Sequence, residues 1–305
     1  MHTTKPIYLA SIDIGSNAAR LLIKRIDKDE TTGSPVLTKE LLLRYPLRLG
    51  FDVFAEGKIS KEKAQAMLHL MQAYRHVMNV YGVEKYRACA TSAMRDSANG
   101  KKIIKRIKRK ANIDIEIIDG QEEARMVYNN HLECKEDRTG KFMYVDVGGG
   151  STEVNLLVDG KLVYTHSFNI GTIRLLTGGV REDAWQRMRE EIEVRTRKLG
   201  KINIIGSGGN INKYFKLADH KDKEQKLLSV KELRSTYDKL SCMTKEERMK
   251  TLGLKADRAD VIEPAGRIFL TLAEVLHSEF VYVPMIGISD GIIDDLVTKM
   301  FAKNE

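Results

Sequence analysis

The chain has 305 residues, with 51 Lys and Arg against 42 Asp and Glu, a formal net charge of +9, 42% hydrophobic residues and 30% charged ones. That apolar share supplies real cores and excludes a disordered chain, and the length favours two domains of ~150 residues. The longest apolar run, 280–288, contains Pro284 and falls far short of the ~20 residues of a membrane helix, and the apolar stretch from Ile7 meets Asp13 before any cleavage site, so neither a membrane span nor a signal peptide is expected. Cys89, Cys134 and Cys242 lie far apart, without a C-x-x-C pair, and read as buried thiols of a reduced, cytoplasmic protein.

In chain order, Ile7-Tyr8-Leu9-Ala10-Ser11-Ile12-Asp13-Ile14-Gly15-Ser16-Asn17 is an apolar strand entering a glycine turn, and Arg20-Leu21-Leu22-Ile23 starts a second strand. Strand 36–43, helix 61–81, strand 86–91, helix 101–111, strand 113–118 and helix 121–133 are expected next. Helix 101–111 holds the densest basic stretch, with Ile103, Ile104 and Ile107 spaced to pack on one side while the cations point outward. A solvated face and an anion-steering patch both fit it. No RNA-recognition sequence or zinc finger accompanies it, so no specific nucleic-acid partner is expected.

The pattern then begins again. Phe142-Met143-Tyr144-Val145-Asp146-Val147-Gly148-Gly149-Gly150-Ser151 is a second strand and glycine turn, and Glu153-Val154-Asn155-Leu156-Leu157-Val158 is its return strand. Strand 161–168, helix 182–199, strand 202–205, helix 210–217, further helices to 277, strand 280–283 and helix 291–301 complete the copy. The duplication predicts two α/β domains facing one another, 1–138 and 139–305, with the polar segment 133–141 between them and the last helix, about 291–302, packing back on the first lobe.

A glycine turn exposes backbone N–H groups to an anion, and a carboxylate at the preceding strand end repels bare phosphate unless a cation intervenes. Asp13 before Gly15-Ser16-Asn17 and Asp146 before Gly148-Gly149-Gly150-Ser151 therefore suggest phosphate bound with Mg²⁺; glycine needed only for turn geometry is the plain alternative. Ile205-Gly206-Ser207-Gly208-Gly209-Asn210 enters a helix N-terminus suited to phosphate, and Gly287-Ile288-Ser289-Asp290-Gly291 repeats the idea, with an ordinary loop capped by Ser289 or Asp290 as the plain alternative. Arg95 leaves a strand end and is suited to grip phosphate oxygens, unless it merely pairs with Asp96. In Asp119-Gly120-Gln121-Glu122-Glu123-Ala124-Arg125 adjacent glutamates open a helix, where they either complement its dipole or supply a base for water. Glu153 is a further carboxylate, facing either the site or solvent.

Together, Asp13-Ile14-Gly15-Ser16-Asn17, Ala90-Thr91-Ser92-Ala93-Met94-Arg95, the segment 119–125, Asp146-Val147-Gly148-Gly149-Gly150-Ser151-Thr152-Glu153 and Gly206-Ser207-Gly208-Gly209 resemble the exopolyphosphatase / guanosine pentaphosphate phosphohydrolase family, and Arg48-Leu49-Gly50 and Arg258-Ala259-Asp260 fit its pattern. The resemblance covers essentially the whole chain. It implies an actin-like, ribonuclease-H-like fold of duplicated βββαβαβα domains with an interdomain cleft. It also implies release of terminal orthophosphate from inorganic polyphosphate, or attack on guanosine pentaphosphate. On this resemblance Glu123 would be the base, with Asp146 and Glu153 completing the acidic set. Asp13 and Asp146 would hold Mg²⁺, beside a monovalent cation such as K⁺. Gly15, Ser16, Asn17, Arg95, Gly148, Gly149, Ser151 and Gly208 would bind phosphate, and a hinge near 134–140 would close the cleft. A homodimer is among the expectations. Ala18 stands where relatives usually carry serine, and the C-terminal helical domains of longer members are expected to be missing. A kinase of the same fold and a non-catalytic polyphosphate or alarmone sensor are the rival readings.

Overall fold

The computed structural model describes residues 6–28, 35–132 and 140–301. By packing, the chain divides into two units, 1–118 with 288–305, and 119–287.

In the first unit β1 (Ile7–Ile14) pairs antiparallel with β2 (Ala19–Lys28), which pairs with β3 (Pro35–Tyr45). Helices α1 (Leu49–Glu56) and α2 (Lys61–Tyr81) carry the chain to β4 (Lys85–Ala90), parallel to β1. Then α3 (Ser92–Asp96) and α4 (Gly100–Ala111) lead to β5 (Glu116–Ile117). The order among the described residues is β3-β2-β1-β4-β5. One face of this sheet buries Ile12, Ile14, Leu21 and Ile23 against Met67, Met71 and Tyr74 of α2 and Ile103 and Ile107 of α4. The long α2 is delimited as its sequence dictates. The Ser60 hydroxyl accepts from Lys63 N, and Gly82 takes the left-handed conformation, φ 65°, that a side chain would resist.

The second unit opens with α5 (Gly120–Leu132), followed by β6 (Lys141–Val147), β7 (Thr152–Val158) and β8 (Lys161–Phe168). Next come α6 (Thr172–Leu176), α7 (Glu182–Thr196), β9 (Asn203–Ser207), α8 (Gly209–Leu217) and β10 (Leu227–Ser229). The unit ends with α9 (Val230–Ser241), α10 (Lys245–Leu252), α11 (Ala256–Ala259), α12 (Ile262–Val275) and β11 (Phe280–Tyr282). Its strand order, β10-β11-β9-β6-β7-β8, read backwards from β8, repeats that of the first sheet, with β10 added at the far edge. This duplicated α/β order is the actin-like, ribonuclease-H-like arrangement. The chain finally returns to the first unit as α13 (Ile288–Phe301), where Ile293 and Val297 pack on Leu9, Leu22 and Ile26. Lys24 Nζ lies 2.9 Å from Asp290, and Arg87 pairs with Asp295 at 2.8 Å.

The segment 133–139, with Cys134 and most of the expected hinge, lies outside the described residues. The packing division falls at 118/119 rather than 138/139, because α5 lies on β7 and β8 of the second sheet. Asn155 of β7 anchors it, donating from Nδ2 to Ala124 O at 2.9 Å while its Oδ1 accepts from Thr165 Oγ1 at 2.6 Å. Strand 113–118 shortens to Glu116–Ile117, since Ile113 and Ile115 are buried without joining the ladder. Helix α13 begins at Ile288, so Ser289 and Asp290 sit inside its first turn rather than capping it. Cys89 is buried as expected, but Cys242, at the end of α9, is exposed. No helix among the described residues is long and apolar enough to cross a membrane.

Replacing Asn155 by leucine removes its buried hydrogen bond to α5 and its bond from Thr165 of β8. The expected loss is about 1–3 kcal/mol, read as a lower urea midpoint with an unchanged slope.

Candidate active site

The two glycine turns are built alike. In each, four residues join the hairpin strands, and the first donates its N–H to the last: Gly15 N to Ala18 O at 3.0 Å, Gly148 N to Ser151 O at 2.9 Å. In the second turn the carbonyls are taken up by the segment after β8. Thr172 N donates to Gly148 O at 3.0 Å, Ile173 N to Gly149 O at 2.8 Å, and Arg174 Nε to Gly150 O at 2.7 Å. The amides of Gly149, Gly150 and Ser151 meet no acceptor among the described residues. Three successive N–H groups whose carbonyls are already bonded form a concave donor set for an anion. In the first turn Ser16 O and Asn17 O accept from Gly50 N and Arg48 N, both at 2.8 Å, which gives the Arg48-Leu49-Gly50 motif its structural task.

Strand register decides which side chains accompany the second turn. Asp146 of β6 stands opposite Glu153 of β7 and Ser207 of β9, and Glu153 opposite Ser167 of β8. Residues in register point to the same face, so Ser207, Asp146, Glu153 and Ser167 form one polar row across the sheet. Glu153 is 2% exposed, and its Oε1 accepts from Ser167 Oγ at 2.7 Å. The solvent-facing alternative for Glu153 is thereby excluded.

Helix α5 lies on this same face, as its bond from Asn155, two residues along β7 from Glu153, requires. Its first residue has to be glycine: a Cβ at Gly120 would stand 2.3 Å from Ser167 Cβ. Asp119 accepts from Glu122 N at 2.8 Å, fixing the first turn, and Glu123 is 9% exposed. Glu123, Asp146 and Glu153 therefore share one unit and one sheet face. On the other flank, Gly208 has φ 89°, and a Cβ there would lie 2.6 Å from Asp146 Oδ1. Arg258, within Arg258-Ala259-Asp260, reaches the next residue of that loop. Its Nη1 bonds Asn210 Oδ1, and its Nη2 stands 2.7 Å from where a Gly209 Cβ would be.

The first unit holds Asp13, Gly15, Ser16, Asn17 and Arg95. Asp13, 2% exposed, is ion-paired with Arg20, its cross-strand partner. Burial pushes its carboxyl above the ordinary carboxylate range, with Arg20 and Arg44 pulling it back. Ser16 Oγ lies 2.9 Å from Ser92 Oγ, tying the turn to α3. Arg95, on α3, donates to Ile118 O at 2.9 Å, while its approach to Asp96 is a loose 3.9 Å.

A family model for the Ppx/GppA phosphatase family matches residues 41–300. The chain belongs to that family. The chain is 28% identical over 296 residues to a bifunctional 3-dehydroquinate synthase/phosphatase of Fusobacterium nucleatum, covering 90% of this chain and 44% of that protein. It is 23% identical to exopolyphosphatase 1 of Mycobacterium tuberculosis over 93% of this chain and 87% of the other. A crystal structure of the Aquifex aeolicus Ppx/GppA family member superposes with TM-score 0.75 at 26% identity, covering 97% and 99% of the two chains.

Ser167, Ser207 and Gly171 were not singled out from sequence. A Cβ at Gly171 would stand 2.5 Å from the Gly150 and Ser151 nitrogens, which makes that glycine part of the turn. The signal for Ser167 was the Thr165–Ser167 alternation on β8, which gains meaning only with the register.

Gly208→Ala should disturb Asp146 through both the positive φ and the 2.6 Å approach, at a cost on the order of 1–3 kcal/mol. Differential scanning calorimetry of this variant beside Gly253→Ala, where φ is also positive but nothing lies within 4 Å, should show the larger loss at Gly208.

Proposed function

We propose that this Ppx/GppA protein hydrolyses the terminal phosphoanhydride of inorganic polyphosphate, releasing orthophosphate. The observation that carries the reading is the set of amides at Gly149, Gly150 and Ser151 that meet no acceptor among the described residues, on the hairpin that bears Asp146 and Glu153, with α5 bringing Glu123 to the same sheet face. Glu123 accepts a proton from the attacking water and aims it in line with the leaving oxygen. The amides hold phosphoryl oxygens with donors already oriented, so charge developing on them needs no reorganisation. Glu153, held by Ser167, keeps that side of the row acidic and fixed. Gly208, beside Asp146 in the same unit, binds a further phosphate in this reading. The names of relatives such as exopolyphosphatase 1 support the substrate class.

Asp146 with Ser207 beside it offers hard oxygen donors, Ser207 Oγ lying 3.5 Å from Asp146 Oδ2, which fits Mg²⁺. Among the described residues no three acidic, His or Cys side chains cluster as a metal cage, so phosphate oxygens and water would complete the shell. Asp13 fits a metal less well, because Arg20 already supplies its cation. Bound there, Mg²⁺ would neutralise phosphate charge.

Purified protein should release phosphate from short polyphosphate, and Glu123→Gln should slow this by roughly 10²–10⁴-fold. Release by that variant at the unaltered rate overturns the assignment, and faster release from guanosine pentaphosphate in parallel would move the substrate to that nucleotide. Chelation of divalent cations should stop release, and added Mg²⁺ should restore it.

A further inference from the structure

Helix α4 carries Lys101, Lys102, Lys105, Arg106, Lys108, Arg109 and Lys110, with no acid, and all seven cations are exposed. Its apolar stripe is already committed, since Ile103 and Ile107 are buried in the first unit's core. Lys108 pairs with Asp114 at 2.6 Å and Arg106 donates to Gln65 at 2.6 Å. Among the described residues, Lys101, Lys102, Lys105, Arg109 and Lys110 have no acidic partner.

The arrangement works against the helix that bears it. Four-residue spacing sets Lys101, Lys105 and Arg109 in one row and Lys102, Arg106 and Lys110 in another, like charge beside like charge. Cations in the last turn suit the helix dipole, but Lys101 and Lys102 stand in the first turn, where the dipole opposes them and no acid compensates. Nothing in the packing calls for these rows. An anion laid along them removes the repulsion, and at 1.5 Å per residue they extend over about 13 Å.

The rows also begin beside a proposed phosphate ligand. Gly100 opens α4 against α3, the helix of Arg95, so tightly that a Cβ would stand 2.5 Å from Met94 O. No aromatic residue occurs in α4 for a base to stack on, which favours a bare phosphate chain over single-stranded nucleic acid. We infer that α4 is a docking surface for the body of a long inorganic polyphosphate chain, held through counterion release along its two basic rows. The choice of occupant rests on the proposed substrate class; the docking itself does not require turnover.

The test is the triple variant Lys101→Gln/Lys105→Gln/Arg109→Gln of the full chain. Retention of end-labelled long-chain polyphosphate is measured across a salt series with divalent cations chelated, and phosphate release from tripolyphosphate is measured separately with Mg²⁺. The variant should bind the long chain on the order of tenfold more weakly, with a shallower salt slope, and release phosphate from tripolyphosphate as the unaltered protein does. Equal affinity and equal slope in the two proteins overturn the inference, as does an RNA of matched charge binding the unaltered protein as tightly as polyphosphate. Long-chain binding that depends on these residues in a protein that releases no phosphate supports the docking surface and overturns the hydrolase reading alone.

Discussion

The candidate site depends on strand register. Asp146, Glu153, Ser207 and Ser167 are scattered between positions 146 and 207 of the chain, and only the pairing of β9, β6, β7 and β8 sets them side by side on one face. A slip of one residue between β6 and β7 would turn Glu153 to the opposite face and break the row. The short turn 148–151 guards against that slip: with the Gly148 to Ser151 bond closing it, the hairpin has little freedom to re-pair. The same four residues thus set the register and present the amides.

The duplicated hairpins show how one scaffold takes two chemical characters. Asp13 and Asp146 occupy equivalent places, yet Asp13 faces Arg20 where Asp146 faces Glu153. Across the first sheet the row runs Arg44, Arg20, Asp13, Cys89, and across the second Ser167, Glu153, Asp146, Ser207. In the first unit the acid is neutralised by its neighbour. In the second, two acids stand across from one another, and a cation placed between them would favour both charged forms. The proposed chemistry accordingly falls to the second unit, and Ser151 there corresponds to Ala18 in the first.

Much of this was legible in the sequence, because alternation, turn glycines and repetition are local signals. The bounds of α2 and β8 match their expected ranges, and both Asp-led turns are where the pattern placed them. What stayed illegible depends on partners distant in the chain. Periodicity shows that 121–133 is a helix but not which sheet will receive it; that was decided by Gly120 against Ser167 and by Asn155. The three-residue β10 and the single-turn α3 and α6 are shorter than the window over which a period can be recognised. Cys242 was expected to be buried from composition alone, whereas its place at the end of an amphipathic helix leaves it in solvent.

Helix α13 has a consequence for biosynthesis. Leu9, Leu22 and Ile26 leave the ribosome well before the residues that cover them, since Ile293 and Val297 follow only after the whole of 119–287 has been made. At ordinary translation speeds that delay is roughly ten to fifty seconds. During it an apolar stripe of the nascent first sheet lacks the residues that cover it in the folded chain, a natural foothold for a chaperone.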